Sequence, residues 1–129
     1  MNTDMERRIN VYIGEIAKRT GASPKAIRLY ENIGLLTDVH REGSYRVYNA
    51  EDVEFVKLIK QAQMLGISLS ELQKLVVSRN TLDWYEVMAL LDTKQWQVDA
   101  EIKALKEKNK RICIYRSEIE ECLRNTNIT

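Results

Sequence analysis

The chain has little of what usually announces a chemistry. Among its 129 residues are one proline, five glycines, one histidine and two cysteines. So little proline and glycine leaves long stretches without a helix breaker, and long uninterrupted helices are expected. A single histidine narrows acid–base chemistry. No nucleophile–base pair, phosphate-cradling glycine loop or cluster of metal ligands accompanies it, so neither an enzyme nor a cofactor is expected. No apolar run approaches the ~20 residues that span a bilayer. The opening MNTDMERRIN lacks the apolar core of a secretory signal. A cytoplasmic protein without a membrane partner is expected, and in that reducing setting the cysteines are expected as free thiols.

The chain also lacks a charge excess. Twenty Lys/Arg against nineteen Asp/Glu leave a formal charge of +1, so any binding of nucleic acid must come from local clustering. Cutting after Val77 uncovers no basic half: residues 1–77 carry 11 basic against 10 acidic, and 78–129 carry 9 against 9. From Tyr12 to Tyr48 the balance is 6 to 4, with the basic residues at selected positions. The apolar fraction of 44% is ordinary. It fits a globular fold of one domain, or of one domain plus an extension.

Ile13, Ile16 and Ala17 recur at helical spacing, and the pattern stops at Thr20-Gly21. Glycine suits the tight turn of a helix-turn-helix, where positive φ is costly for other residues. Ser23-Pro24 follows, an N-cap and then proline at the first helical position. The second helix is expected to place Ile27 and Leu29 near the core, with Tyr30 and Ile33 one turn on, and to end at Gly34. Its polar positions are Ser23, Lys25, Arg28 and Tyr30. Arg and Lys can contact guanine edges or phosphates, and a tyrosine hydroxyl can donate to phosphate. A solvated helix face would carry the same residues, so the helix alone leaves both readings open.

The next segment favours the DNA-facing one. Val39-His40 and Tyr45-Arg46-Val47-Tyr48 flank Arg41-Glu42-Gly43-Ser44, two short strands around a glycine-bearing turn. Strand alternation puts Arg46 and Tyr48 on one face, with Tyr45 and Val47 on the other. A basic hairpin after a helix-turn-helix is the wing of a winged helix. Asn49 then caps a helix carrying Val53, Val56, Leu58, Ile59 and Ala62 on its apolar side, which ends at Gly66. Ser68 starts another, with Glu71 in the capping-box position.

IGEIAKRTGASPKAIRLYENIGLL, then REGSYRVY, then DVEFVKLIKQAQMLGISLSEL resembles the mercury-resistance (MerR) family of bacterial transcription regulators. The resemblance runs over roughly residues 11–77, with turn, recognition helix, wing and following helix pair in order. It implies DNA contacts from Lys25, Arg28 and Tyr30 of the recognition helix and from Arg41, Tyr45, Arg46 and Tyr48 of the wing. Arg28 is expected to approach bases and the tyrosines to hold phosphates, with Ser23 serving mainly as the cap. In the family the junction near Gly66 acts as a second wing. Lys57, Lys60 and Gln61 precede it and could reach phosphate, or could be ordinary solvated side chains.

From Trp84 onward a seven-residue repeat takes over. Trp84, Leu91, Val98, Leu105, Ile112 and Ile119 form an apolar seam, and Met88, Gln95, Ile102, Asn109, Arg116 and Leu123 a half-polar one. This is a coiled-coil pattern in which Asn109 would fix register at some cost in stability. A helix from Trp84 to Leu123 is about 60 Å long, too long for so small a chain to cover by itself, so a homodimer is expected. The resemblance implies antiparallel pairing across a two-fold axis, a pseudo-palindromic promoter operator and RNA polymerase as a partner. Trp96 lies outside both seams and is expected to meet the partner's DNA-binding half.

The expected architecture is thus mainly α. An N-terminal extension (1–10) leads into a winged helix-turn-helix (11–80), a dimerisation helix (81–124) and a short tail (125–129). An architectural, excisionase-like protein without an effector is the alternative, and the long heptad helix argues against it.

Cys113 and Cys122 fall at the effector end. Nine residues apart on one helix, they point about 180° apart and lie ~13 Å apart along the axis. One metal cannot take both from the same helix, and the seven residues after Cys122 hold no Cys, His or carboxylate, so no metal site is expected. A reactive thiol remains possible in kind, because Cys113 follows Lys110 and Arg111 and cations favour the thiolate. Plain packing cysteines are the simpler reading. The long C-terminal ligand-binding domain of the family's drug sensors is not expected, and the inducer is unreadable.

Overall fold

The computed structural model describes residues 10–127. In chain order the elements are α1 (Ile13–Thr20), α2 (Pro24–Asn32), β1 (His40–Glu42), β2 (Tyr45–Val47), α3 (Ala50–Met64), α4 (Leu69–Leu75), β3 (Val76–Ser78), β4 (Thr81–Leu82) and α5 (Trp84–Asn127). The fold is mainly helical, a winged helix-turn-helix followed by one long helix, as the sequence indicates. It divides into two units between Val87 and Met88.

Local chemistry sets the helix ends. Gly21, at φ 77°, closes α1, and its N–H donates to the Ala17 carbonyl at 2.9 Å. Ser23 Oγ accepts from the Ala26 N–H at 3.0 Å with Pro24 just inside α2. Asn49 and Asp52 form a reciprocal capping box at 2.8 and 3.0 Å. Ser68 and Glu71 form another at 3.1 and 3.0 Å. Each box satisfies two backbone N–H donors that a helix start would otherwise leave open.

The core of the first unit forms where α1 packs on α2 and α3. Ile16, Ile27, Leu35, Val56 and Ile59 are buried there, with Leu72 from α4. Along α3 the buried apolar positions are Val53, Phe55, Val56, Ile59 and Ala62, while Leu58 is only half-buried. Leu29, expected near the core, lies on the outer face of α2.

The β1–β2 hairpin pairs His40 with Val47, Arg41 with Arg46 and Glu42 with Tyr45. That register leaves a two-residue loop, Gly43-Ser44, with glycine at φ 62° in the first position, where a type II′ turn requires it. The base of the hairpin is tied to the preceding chain: Val11 and Tyr48 exchange two backbone hydrogen bonds of 2.8 Å.

A second hairpin, β3–β4, precedes the long helix. Val76–Ser78 pairs antiparallel with Thr81–Leu82, and the helix starts at Trp84, where the heptad pattern begins. Asp52, fully buried, anchors the turn by accepting from Asn80 Nδ2 at 2.9 Å and Arg79 Nη2 at 3.4 Å. The Asp83 N–H then donates to the Leu75 carbonyl at 2.8 Å. Strands this short carry little signal of their own, and the carboxylate that holds them is 28 residues from Asn80.

The helix α5 has 44 residues, about 66 Å at 1.5 Å per residue. It continues through Asn127 and takes in most of the expected tail. Residues 1–9 of the expected extension, and Ile128 and Thr129, lie outside the described residues. Among those described, no helix is long and apolar enough to cross a membrane.

Asp52 accepts from three donors, two of them on the second hairpin. Asp52→Ala should therefore lower stability by about 2–3 kcal/mol in urea unfolding at matched protein concentration. Arg79→Ala should cost less than about 1 kcal/mol, because its ion pair is solvent-screened. Equal losses would mean that the ion pair, not the buried acceptor, holds the hairpin.

Candidate nucleic-acid interface

The outer face of α2 carries Lys25, Arg28, Leu29 and Asn32, all exposed. Spacings of three, four and seven residues put them side by side on one helical surface. With Ser23 and Ala26 they line a shallow groove. Arg28 also lines a second depression with Tyr12, Ile13, Ser44, Tyr45 and Arg46. Helix α2 and the hairpin thus meet at one arginine.

In the hairpin, Arg41 stands directly across from Arg46. Like charges so placed are mutually destabilising. The conflict is relieved on one side by Glu31 of α2, whose carboxylate sits 2.9 Å from Arg46 Nε. Arg41 is exposed and has no ion pair among the described residues. It is available to an anion. Tyr45 is also exposed, its ring centroid 5.9 Å from that of Tyr12. Guanidinium groups beside serine and tyrosine hydroxyls suit phosphate oxygens.

Two residues expected to hold phosphates are built into the interior instead. Tyr30 is 2% exposed and its hydroxyl donates to Gln63 Oε1 at 3.1 Å. It lies one turn beyond Ile27, on the same inward face. Tyr48 is fully buried and its hydroxyl donates to Glu31 Oε2 at 3.0 Å. Strand alternation does put Arg46 and Tyr48 on one side of β2, but that side faces the Glu31 carboxylate rather than solvent. Glu31 itself was not singled out in the sequence. Nothing local marks it, since its partners are 15 and 17 residues away.

The remaining candidates are spread more widely. Ser23 acts as the cap of α2. Lys60 is half-buried on α3, and Lys57 pairs with Glu54 at 3.3 Å. Of the seam residues, Leu91 is half-buried, while Val98, Ile102, Leu105, Asn109, Ile112 and Ile119 are exposed. Trp96 is exposed as well. Cys113 and Cys122 are exposed free thiols on α5. Among the described residues, no three His, Cys, Asp or Glu side chains gather as a metal site would require.

Burial first, and the Glu31 hydrogen bond and charge second, push the Tyr48 phenol well above its ordinary pKa. The neutral form is thus favoured on folding. Its stabilisation is complete below the unfolded value near 10 and is lost as pH rises past it. Wild-type stability should therefore fall above about pH 10, and less steeply in Tyr48→Phe. Identical pH profiles from chemical unfolding would remove Tyr48 as the cause.

Residues 12–79 match the pattern described as MerR HTH family regulatory protein, and residues 53–112 match that described as MerR, DNA binding. The mercuric resistance operon regulatory protein of Bacillus cereus is 31% identical over 119 residues, spanning 85% of this chain and 90% of its own. An HTH-type transcriptional regulator of Pseudomonas aeruginosa is 46% identical over 65 residues, 50% of this chain and 49% of its own. This chain's match thus spans about half the length of that relative. Among solved structures, the regulator PbrR691 of Ralstonia metallidurans CH34 in complex with lead(II) superposes with a TM-score of 0.64 at 28% identity, over 82% of this chain and 85% of its own. With one pattern covering the helix-turn-helix, the hairpin and the α3–α4 pair, and the B. cereus likeness running on into α5, this chain belongs to the MerR family of helix-turn-helix regulatory proteins.

Proposed function

We propose that the protein is a homodimeric, cytoplasmic transcription regulator, not an enzyme, that binds duplex promoter DNA. The observation that carries this reading is the surface shared through Arg28. It joins Lys25 and Arg28 of α2 to Ser44, Tyr45 and Arg46 of the hairpin, and Arg41, opposite Arg46, has no ion pair among the described residues. Helix α2 would enter the major groove, with Arg28 at base edges. Arg41, Tyr45 and the free edge of Arg46 would follow the phosphate backbone, with Lys60 as an outlying phosphate contact.

Two α5 helices would pair antiparallel along the seam from Leu91 to Ile119. Support comes from the exposure of that seam: Leu105, near its middle, is 62% exposed in the single chain. A two-fold dimer would match a pseudo-palindromic operator. Deforming the spacer between the half-sites would then change how RNA polymerase meets the promoter, a form of control through DNA shape. Cys113 and Cys122 are the candidate thiol sensors, and their opposite placement on one helix disfavours a single shared metal. The effector itself is unassigned.

Two measurements test this. Sedimentation at micromolar concentration should give a dimer, and Leu105→Lys should shift it to monomer; a monomeric wild type would remove the coil. Affinity for promoter DNA should fall steeply with salt, and Arg41→Ala should lower the logarithmic salt slope by about one. Arg28→Ala should weaken operator binding by about 1–3 kcal/mol. Unchanged affinity in both variants would overturn the DNA-binding surface.

A further inference from the structure

Helix α2 buries Ile27 and Tyr30 on one side, and Leu29 lies on the other, 44% exposed. At 100° per residue its nearest neighbours on that surface are Lys25, one turn before, and Asn32, one turn after. A single exposed leucine is ordinary on a protein surface. Here, however, it sits within the shallow groove that also holds Lys25 and Arg28. The groove surface is predominantly apolar and no carboxylate lines it. Glu31, the nearest acid in sequence, is turned away to Arg46 and Tyr48.

An apolar patch edged by exposed cations calls for a ligand that is anionic at its border and apolar at its centre. Duplex DNA offers that combination in the major groove, where phosphates flank base edges. The one apolar group on those edges is the C5-methyl of thymine. Resting on the DNA-binding reading above, we propose that Leu29 is a specificity-determining residue that contacts a thymine C5-methyl, with Lys25 at the phosphate backbone and Arg28 at neighbouring base edges. Leu29 contributes no hydrogen bond. It reads the methyl group by apolar contact, so it discriminates thymine from uracil and accepts 5-methylcytosine at the same position. Asn32, beside it, can make the polar base contacts that leucine cannot.

The test uses the full-length protein and a duplex enriched by the wild type from a random-sequence pool. Each thymine of that duplex is replaced singly by deoxyuridine, which removes the methyl and leaves pairing and charge unchanged. At one thymine per half-site, wild-type affinity should fall about fourfold, the scale of one methyl group withdrawn from apolar contact. Leu29→Ala should bind the parent duplex about as weakly as the wild type binds the uracil form, and should show no further loss on that form. Replacing this base pair by one with 5-methylcytosine on the same strand should cost wild type less than replacing it by one with cytosine. Matching thermal unfolding of wild type and Leu29→Ala would confirm that the exposed side chain carries no fold.

The proposal is overturned if no thymine-to-uracil change weakens the wild type, or if Leu29→Ala keeps the full wild-type sensitivity. If the pool yields no enriched sequence, the DNA-binding reading fails first, and this inference with it.

Discussion

The Glu31 carboxylate is the constraint on which the proposed DNA-binding surface depends. Largely buried, with 14% of its side chain exposed, it accepts from Arg46 and from Tyr48. A hairpin of two three-residue strands is marginal in water by itself, and this one also sets Arg41 against Arg46. Charge-assisted hydrogen bonds to Glu31 fasten one strand to α2. The backbone bonds between Val11 and Tyr48 fasten its base on the other side. Phosphates on a duplex recur at fixed spacing, so a surface that reads them must hold its own cations at fixed spacing. Glu31 supplies that rigidity from a largely buried position.

Asp52 applies the same economy to the second hairpin. It belongs to the capping box that starts α3, and it also accepts from Arg79 and Asn80. The turn it holds delivers the chain to Asp83, whose carbonyl accepts from the Val87 N–H at 2.9 Å as α5 begins. Two buried or nearly buried carboxylates therefore set the two hairpins of the first unit. Neither contributes to net charge where a ligand would meet it. In a chain with a formal charge of +1, Glu31 is thus turned inward to Arg46 and Tyr48 beside the exposed Lys25, Arg28 and Arg41.

Much of the fold was legible in the sequence because it is written in local chemistry. Gly21, Ser23-Pro24, Asn49 with Asp52 and Ser68 with Glu71 act over three or four residues, and each behaves as its spacing requires. The heptads from Trp84 fall on one continuous helix. The site was less legible. Lys25, Arg28, Arg41 and Tyr45 are exposed where the sequence placed them, but Tyr30 and Tyr48 point inward and Leu29 outward. A tyrosine is amphipathic, so type and period leave its direction open until its hydroxyl finds a partner.

By itself the sequence determined the helix caps, the glycine-bearing hairpin and the continuity of α5, because those follow from backbone preferences and repeats read over a few residues. Only the tertiary structure decided which side chains remain available to a ligand. Gln63 accepts from the hydroxyl of Tyr30, 33 residues away, and Glu31 accepts from the Arg46 guanidinium and the Tyr48 hydroxyl from across a loop. Those choices depend on which polar groups meet when α2, α3 and the hairpin close on one another, and no short-range pattern encodes that meeting.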